Sequence, residues 1–384
     1  MWTSDERPRW VSFTFNSYPI RMIYDNRETD PVHLLGFKII LHVGLLLIIL
    51  QITSGHYNSD IINSLAEKWA PLVWLAPEEK YFPLAVEEFL QHVHPTEKNG
   101  RIISPDNLLP VGRSSKLLYL IPKKGLNILK DNTSFLNGRN PLHTSVPVYV
   151  TISDCSHPGT PTFLNARNRP HASTKRSSFV ITYWMFYPYN EGKKLCFLGK
   201  LPAPFIFDKC LGKQKIVGNH VGDFEHIAFS FDKDLTPREL FLSLHDVGVY
   251  YTYDASSKIF KNSRYLQRKG ILQTTEFPPF VRTFEGRPIL FAAKGSHGLW
   301  SAPGKYYYLK LPKLADINDY GTPWKTWKHL QIYREGYNKP PVWMRYLGRW
   351  GNPKTNCFLF SKIGLCEISD GPYGISQRES DFQC

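Results

Sequence analysis

The stretch Gly218-Asn219-His220-Val221-Gly222-Asp223-Phe224-Glu225-His226-Ile227-Ala228-Phe229-Ser230-Phe231 constrains the fold of this chain more than any other. A polar turn flanked by glycines leads into a run patterned as a β-strand. Side chains alternate between faces along a strand, so Asp223, Glu225, Ile227, Phe229 and Phe231 share one face. Most of these are apolar, and that face is expected to look into a core. Two carboxylates then open the buried side of the strand. An isolated ionised carboxylate there costs several kcal/mol or shifts its pKa. Compensation is expected from a metal ion, a basic partner or a dense set of N–H donors. A metal-free buried polar network answers the same demand. His226 points to the other face and reads as structural.

Further strand signals surround this run. Val148-Tyr149-Val150-Thr151-Ile152 is β-branched and aromatic, and residues 179–189 are apolar on both faces, as in a central strand covered on each side. Residues 240–245, 249–253 and 288–292 continue the series. A length of 384 residues suits two modest domains or one large β domain with extensions. Aromatics at 14%, with 26 Gly and 29 Pro for turns, favour a loop-rich, mainly β fold. The expected fold class is mainly β: a β-sandwich or jelly roll, preceded by a short helical collar and an N-terminal transmembrane helix. No internal repeat is visible. Ser59 or Asp60 caps a first collar helix with Ile61, Leu65 and Trp69 on one face, and Pro83 begins a second with Val86, Phe89, Leu90 and Val93. Tyr183, Trp184, Phe186, Tyr187 and Tyr189 read as core packing, with a carbohydrate or lipid platform as the alternative.

The compartment is read from residues 34–53, the one long apolar run. It approaches the roughly 20 residues needed to span a bilayer. It starts too far from Met1 for a typical cleaved signal peptide. A signal-anchor is expected; a cleaved signal near Ser54-Gly55 and a buried core helix remain open. The resulting organisation is a cytosolic tail at 1–33, the anchor at 34–53 and the collar at 54–95. A lumenal β-sandwich with wrapping loops follows at 96–368, then a polar, loosely attached tail at 369–384. This is a single-pass type II arrangement in a membrane of the secretory or vacuolar pathway. All six cysteines follow the apolar run and none forms a CxxC pair, so disulfides in an oxidising lumen are expected rather than zinc. Cys196 with Cys210 and Cys357 with Cys366 are the local pairings. Asn132-Thr133-Ser134 is a glycosylation sequon. The net charge of +14 lies beyond the balanced N-terminal tail. It suits anionic lipid or acidic glycan headgroups; no RNA-binding or zinc-finger signature supports nucleic acid.

Several pieces occur in a fixed order over residues 66–330. They are Trp69-Ala70-Pro71-Leu72-Val73-Trp74-Leu75, Trp184-Met185-Phe186-Tyr187-Pro188-Tyr189-Asn190, residues 218–226, Ser243-Leu244-His245, and Gly295-Ser296-His297-Gly298 before Pro303-Gly304. Asp316-Ile317-Asn318-Asp319-Tyr320-Gly321 with Trp324 closes the set. Together they resemble the vacuolar protein sorting-associated protein 62 family of fungi, which has relatives in plants. Phe224 stands where most relatives are expected to carry Trp. The resemblance implies a role in delivering proteins to the vacuole, with vacuolar cargo and a membrane as partners. A second, remote likeness is to necrosis-inducing toxins, whose His-Arg-His-Asp-Trp-Glu core has the spacing of His220, Asp223 and Glu225. That likeness implies a compact β-sandwich with a divalent cation at one edge, binding sphingolipid headgroups. Here Gly222 replaces the second histidine.

A metal site is expected to group Asp223 and Glu225 with His220, His245 or His297. Carboxylates and water suit magnesium, calcium or manganese; added imidazole admits zinc or iron. In an enzyme, Glu225 or Asp223 would act as base and His245 or His297 as acid. No Gly-x-Ser-x-Gly elbow or phosphate-binding loop is present, and adjacent Ser296 and His297 on a strand would point apart. The function expected is a membrane-anchored protein of vacuolar sorting with a lumenal β-sandwich binding domain. A metal-dependent lumenal hydrolase or a lipid- or glycan-binding protein is the alternative.

Overall fold

The structure is a computed structural model. It describes residues 9–15, 18–24 and 59–384, apart from 104–108, 156–176, 267–274, 310–313, 358–365 and gaps of one or two residues. The apolar run at 34–53 lies outside the described residues. Among those described, no helix is long and apolar enough to cross a membrane. The chain divides into two units, residues 1–58 and 59–384. In the first, Arg9–Phe15 and Tyr18–Tyr24 pair antiparallel, within the stretch expected as a cytosolic tail.

The second unit is mainly β. Its large sheet has eight strands in the order Phe280–Val281, Ile259–Leu266, Val247–Asp254, Pro237–Leu244, His220–Phe231, Phe179–Asn190, Val148–Asp154 and Leu330–Arg334. Neighbours are antiparallel except the last pair, where Leu330 lies beside Val148 in parallel. The long central strands, Phe179–Asn190 and His220–Phe231, are buried over nearly their whole length. Their apolar patterning on both faces is explained by layers on both sides.

On one face lie Tyr183, Met185 and Tyr187, in register with Ile227, Glu225 and Asp223. A second sheet meets this face. It runs Thr283–Phe284, Arg287–Ala292, Leu72–Leu75 and Thr322–Lys325, with Leu299–Trp300 pairing to Arg287–Ala292. Tyr187 meets Trp324 edge-on at 6.4 Å. Helix Ser59–Trp69 closes the same side: the Tyr183 hydroxyl donates to the Ala66 carbonyl at 2.7 Å, and Trp69 packs on Phe229. On the other face Phe186 and Phe224 join Phe89, Trp343 and Trp350 in an aromatic cluster. Both sheets are open, and the second unit is mainly β with layers on both faces of the large sheet.

Four expectations need correction. The collar is not purely helical, because Leu72–Leu75 is a strand of the second sheet, parallel to Arg287–Ala292. In the first helix Leu65 and Trp69 are buried as expected, but Ile61 is exposed and Ile62 takes its place in the core. The second helix is only Val86–Gln91; Ala85 offers no capping side chain, and the Tyr149 hydroxyl of the sheet accepts the Val86 N–H instead. The C-terminal tail is also docked rather than loose. Asp381 and Phe382 are buried, and Phe382 packs edge-on against Tyr250.

Candidate functional site

The two central strands end beside a polar cleft of about 280 Å³. Asn190 comes from the end of one strand; His220, Asp223 and Glu225 come from the start of the other. Ser243 and His245 enter from the next strand and its turn, and Arg378 reaches in from the C-terminal segment. Period-two alternation places Asp223 and Glu225 on one face, as the sequence predicts. The Asn190 side-chain amide donates to Asp223 at 2.8 Å. Glu225 has 6% exposure and receives no hydrogen bond from any described residue. Burial pushes its carboxyl well above the usual carboxylate range; Asp223 adds to this, Arg378 opposes it, and Asp316 adds again.

The imidazoles are fixed by different partners. His220 Nδ1 lies 2.8 Å from the Gly222 carbonyl, which can only accept, so Nδ1 carries the proton and Nε2 is left as an acceptor. His245 sits at φ +48 with Nε2 2.9 Å from Asp316. Asp316 is fully buried and gathers four donors: Ser296 Oγ and Lys193 Nζ at 2.8 Å, His245 at 2.9 Å and Trp300 Nε1 at 3.0 Å. Burial alone would raise its carboxyl, but His245 and Lys193 outweigh that and hold it far below the usual range.

Other expected residues go elsewhere. His297 does not line the cleft. It stacks on Tyr187 at 3.9 Å and its Nε2 meets the Tyr81 carbonyl at 2.8 Å. Ser296 turns to Asp316, so the adjacent Ser and His form no nucleophile–base pair. His226 faces away from Glu225, stacked on Trp184 and 2.8 Å from Asp381. Tyr183, Trp184, Phe186 and Tyr187 are fully buried core residues. Among the described residues, no three His, Cys, Asp or Glu side chains converge on a metal-sized point. The cleft therefore offers a cation two carboxylates, and not a ring of imidazoles. Cys196–Cys210 and Cys357–Cys366 are both bonded, and Cys155 is disulfide-bonded as well. Asn132 is exposed.

A Saccharomyces cerevisiae protein provisionally named vacuolar protein sorting-associated protein TDA6 is 26% identical over 325 residues, 78% of this chain and 61% of its own. Vacuolar protein sorting-associated protein 62 of the same yeast is 24% identical over 316 residues, 74% of this chain and 58% of its own. The resemblance to the vacuolar protein sorting-associated protein 62 family holds. The chain spans about three fifths of the length of these curated relatives. No family model and no solved structure matches it.

Two residues of this vacuolar protein sorting-associated protein 62-like chain escape the sequence reading of the site. Asp316 appears there only within a motif. Its signal is the pair Asp316 and Asn318, two residues apart on one strand and both buried, the same pattern as Asp223 and Glu225. Gly222 is the other. It sits at φ +69, where a Cβ would lie 2.3 Å from the Trp350 carbonyl. The second histidine of the toxin core has no room there, so the likeness stops at spacing.

Proposed function

We propose that this chain acts in vacuolar protein sorting as a membrane-tethered binding protein, with the cleft of Asp223 and Glu225 as its ligand site. The names of its relatives support the pathway. The observation that carries the site is Glu225: a deeply buried carboxyl that faces a solvent-connected cleft and takes no hydrogen bond from any described residue. Such a group calls for a ligand that supplies what the fold withholds. One divalent cation fits. Magnesium and calcium are commonly held by one or two carboxylates with water completing the shell, and manganese shares that preference. Hydroxyl-rich or anionic headgroups of lipid or glycan would then complete the coordination beside Arg378 and Ser243. The second unit faces the lumen in this reading, consistent with its disulfides.

A hydrolase has less support, since the described residues of the cleft pair no nucleophile with a base. The test has two arms. Removing the gene should delay maturation and vacuolar arrival of cargo; normal delivery would sink the pathway reading. In the purified chain, adding calcium or magnesium after chelation should raise the melting temperature, since a ligand bound only by the folded state stabilises it. Asp223→Asn should abolish that rise. A wild type indifferent to every divalent cation would leave the carboxylates as a structural network.

A further inference from the structure

Between the two central strands the chain makes an excursion from Lys193 to Val217. Lys193–Leu198, Leu201–Ala203 and Lys213–Val217 form a three-stranded sheet of their own, closed across its width by Cys196–Cys210. Its base is solid. Leu195, Phe197 and Val217 make a small buried cluster with Leu314 packed on it, and Lys193 pairs with Asp316. Its tip is the reverse. Leu198 is 66% exposed, Leu201 53% and Leu211 73%. Leu198 and Leu201 lie directly opposite each other in the hairpin. Leu211 is held against the same end, because Gly212 runs so close to Phe197 that a Cβ would lie 2.0 Å from its carbonyl. Lys213, registered opposite Phe197, and Lys209, two residues before Leu211, are exposed near these aliphatic side chains, and no described carboxylate pairs with them.

A rigid base thus presents three aliphatic side chains to solvent, at a cost that soluble surfaces normally avoid. A hairpin tip this narrow cannot supply the roughly 800 Å² per partner of a standard protein interface. It does match a bilayer interface: alkyl groups enter the acyl boundary while lysines on the rim reach phosphates. We infer that the disulfide-closed finger of residues 193–217 inserts its aliphatic tip into a lipid bilayer surface. The finger leaves the sheet just after Asn190 and rejoins it just before His220, and both residues line the cleft. Insertion therefore brings the cleft toward the headgroup layer. The inference rests on the finger alone and stands or falls apart from the sorting role and the cation.

The test uses the full chain reconstituted in phosphatidylcholine vesicles that carry a diazirine on part of the acyl chains. After illumination, lipid adducts are mapped by peptide mass spectrometry. Adducts are expected within residues 193–217. The double variant Leu198→Asp, Leu201→Asp should lower their yield by about tenfold or more, since each exposed leucine loses its apolar transfer energy. Both positions are exposed, so the variant should melt like the wild type, which checks that the finger and not the fold has changed. The pair Leu198→Ile, Leu201→Ile should keep the adducts. Absence of adducts from the wild-type finger would overturn the inference, as would a yield unchanged by the aspartates. Adducts absent while the aspartates convert a dimer to a monomer on sizing would overturn it in favour of self-association.

Discussion

Asp316 is the residue on which the cleft depends most. Four donors converge on one buried carboxylate, so Asp316→Asn leaves Lys193 without its counter-ion and gives one oxygen where two were needed. Breaking a buried ion pair from one side costs about 3–5 kcal/mol. Urea unfolding of the variant should register a loss of that order; a loss below about 1 kcal/mol would mean that water replaces the carboxylate. His297 gives a pH signature. Burial lowers its pKa, against the pull of Glu79, Asp223 and the Tyr81 carbonyl. The folded chain thus holds the ring neutral, while the unfolded chain protonates it near pH 6.5. As pH falls through that value the unfolded state binds the extra proton, so stability drops. Wild-type melting should fall more steeply between about pH 7.5 and 5.5 than that of His297→Gln. Parallel slopes would remove His297 from the acid response. Neither role is legible in the sequence. An Asp two residues from an Asn, or a His after a Ser, reveals its partners only once distant strands have met.

The strands were legible where patterning was strong. Residues 179–189, apolar on both faces apart from Thr182, predict a strand covered on both faces, and that strand lies inside the large sheet. The 218–231 run gives its neighbour, with Asp223 and Glu225 on the correct face. Legibility failed for short elements. Leu72-Val73-Trp74-Leu75 is too short for period to distinguish strand from loop, and its place is set by Arg287–Ala292, far along the chain. The buried tail failed for another reason: Asp381 and Phe382 look solvent-bound in composition, yet His226 and Tyr250 receive them. The finger was visible only as a local cysteine pair. Its disulfide closes a 14-residue loop inside one insertion, so its removal should act locally. In Cys196→Ser, Cys210→Ser, hydrogen exchange should accelerate across residues 193–217 while the central strands keep their protection. Loss of protection in the large sheet would make the finger part of the cooperative core.

For the whole molecule, the proposed membrane tethering puts the second unit in the lumen. With a cytosolic N-terminus, protease added to sealed microsomes should remove a tag at Met1 and spare the second unit. Glycosidase should shift the full chain through the exposed Asn132. Digestion of the second unit without detergent would reverse the arrangement. The tag belongs at Met1, because Asp381 and Phe382 are buried near the other terminus. The large sheet also sets an order on biosynthesis. Its outer strand Leu330–Arg334 lies parallel to Val148–Asp154, and the second sheet joins Arg287–Ala292 to Leu72–Leu75 in the same way. Each early strand is made long before its neighbour and must wait with an unpaired edge. The nascent chain therefore cannot complete either sheet until nearly all of it has emerged. A cell making this protein is expected to keep chaperones on it through most of translation, and truncations before residue 334 should aggregate rather than fold in part.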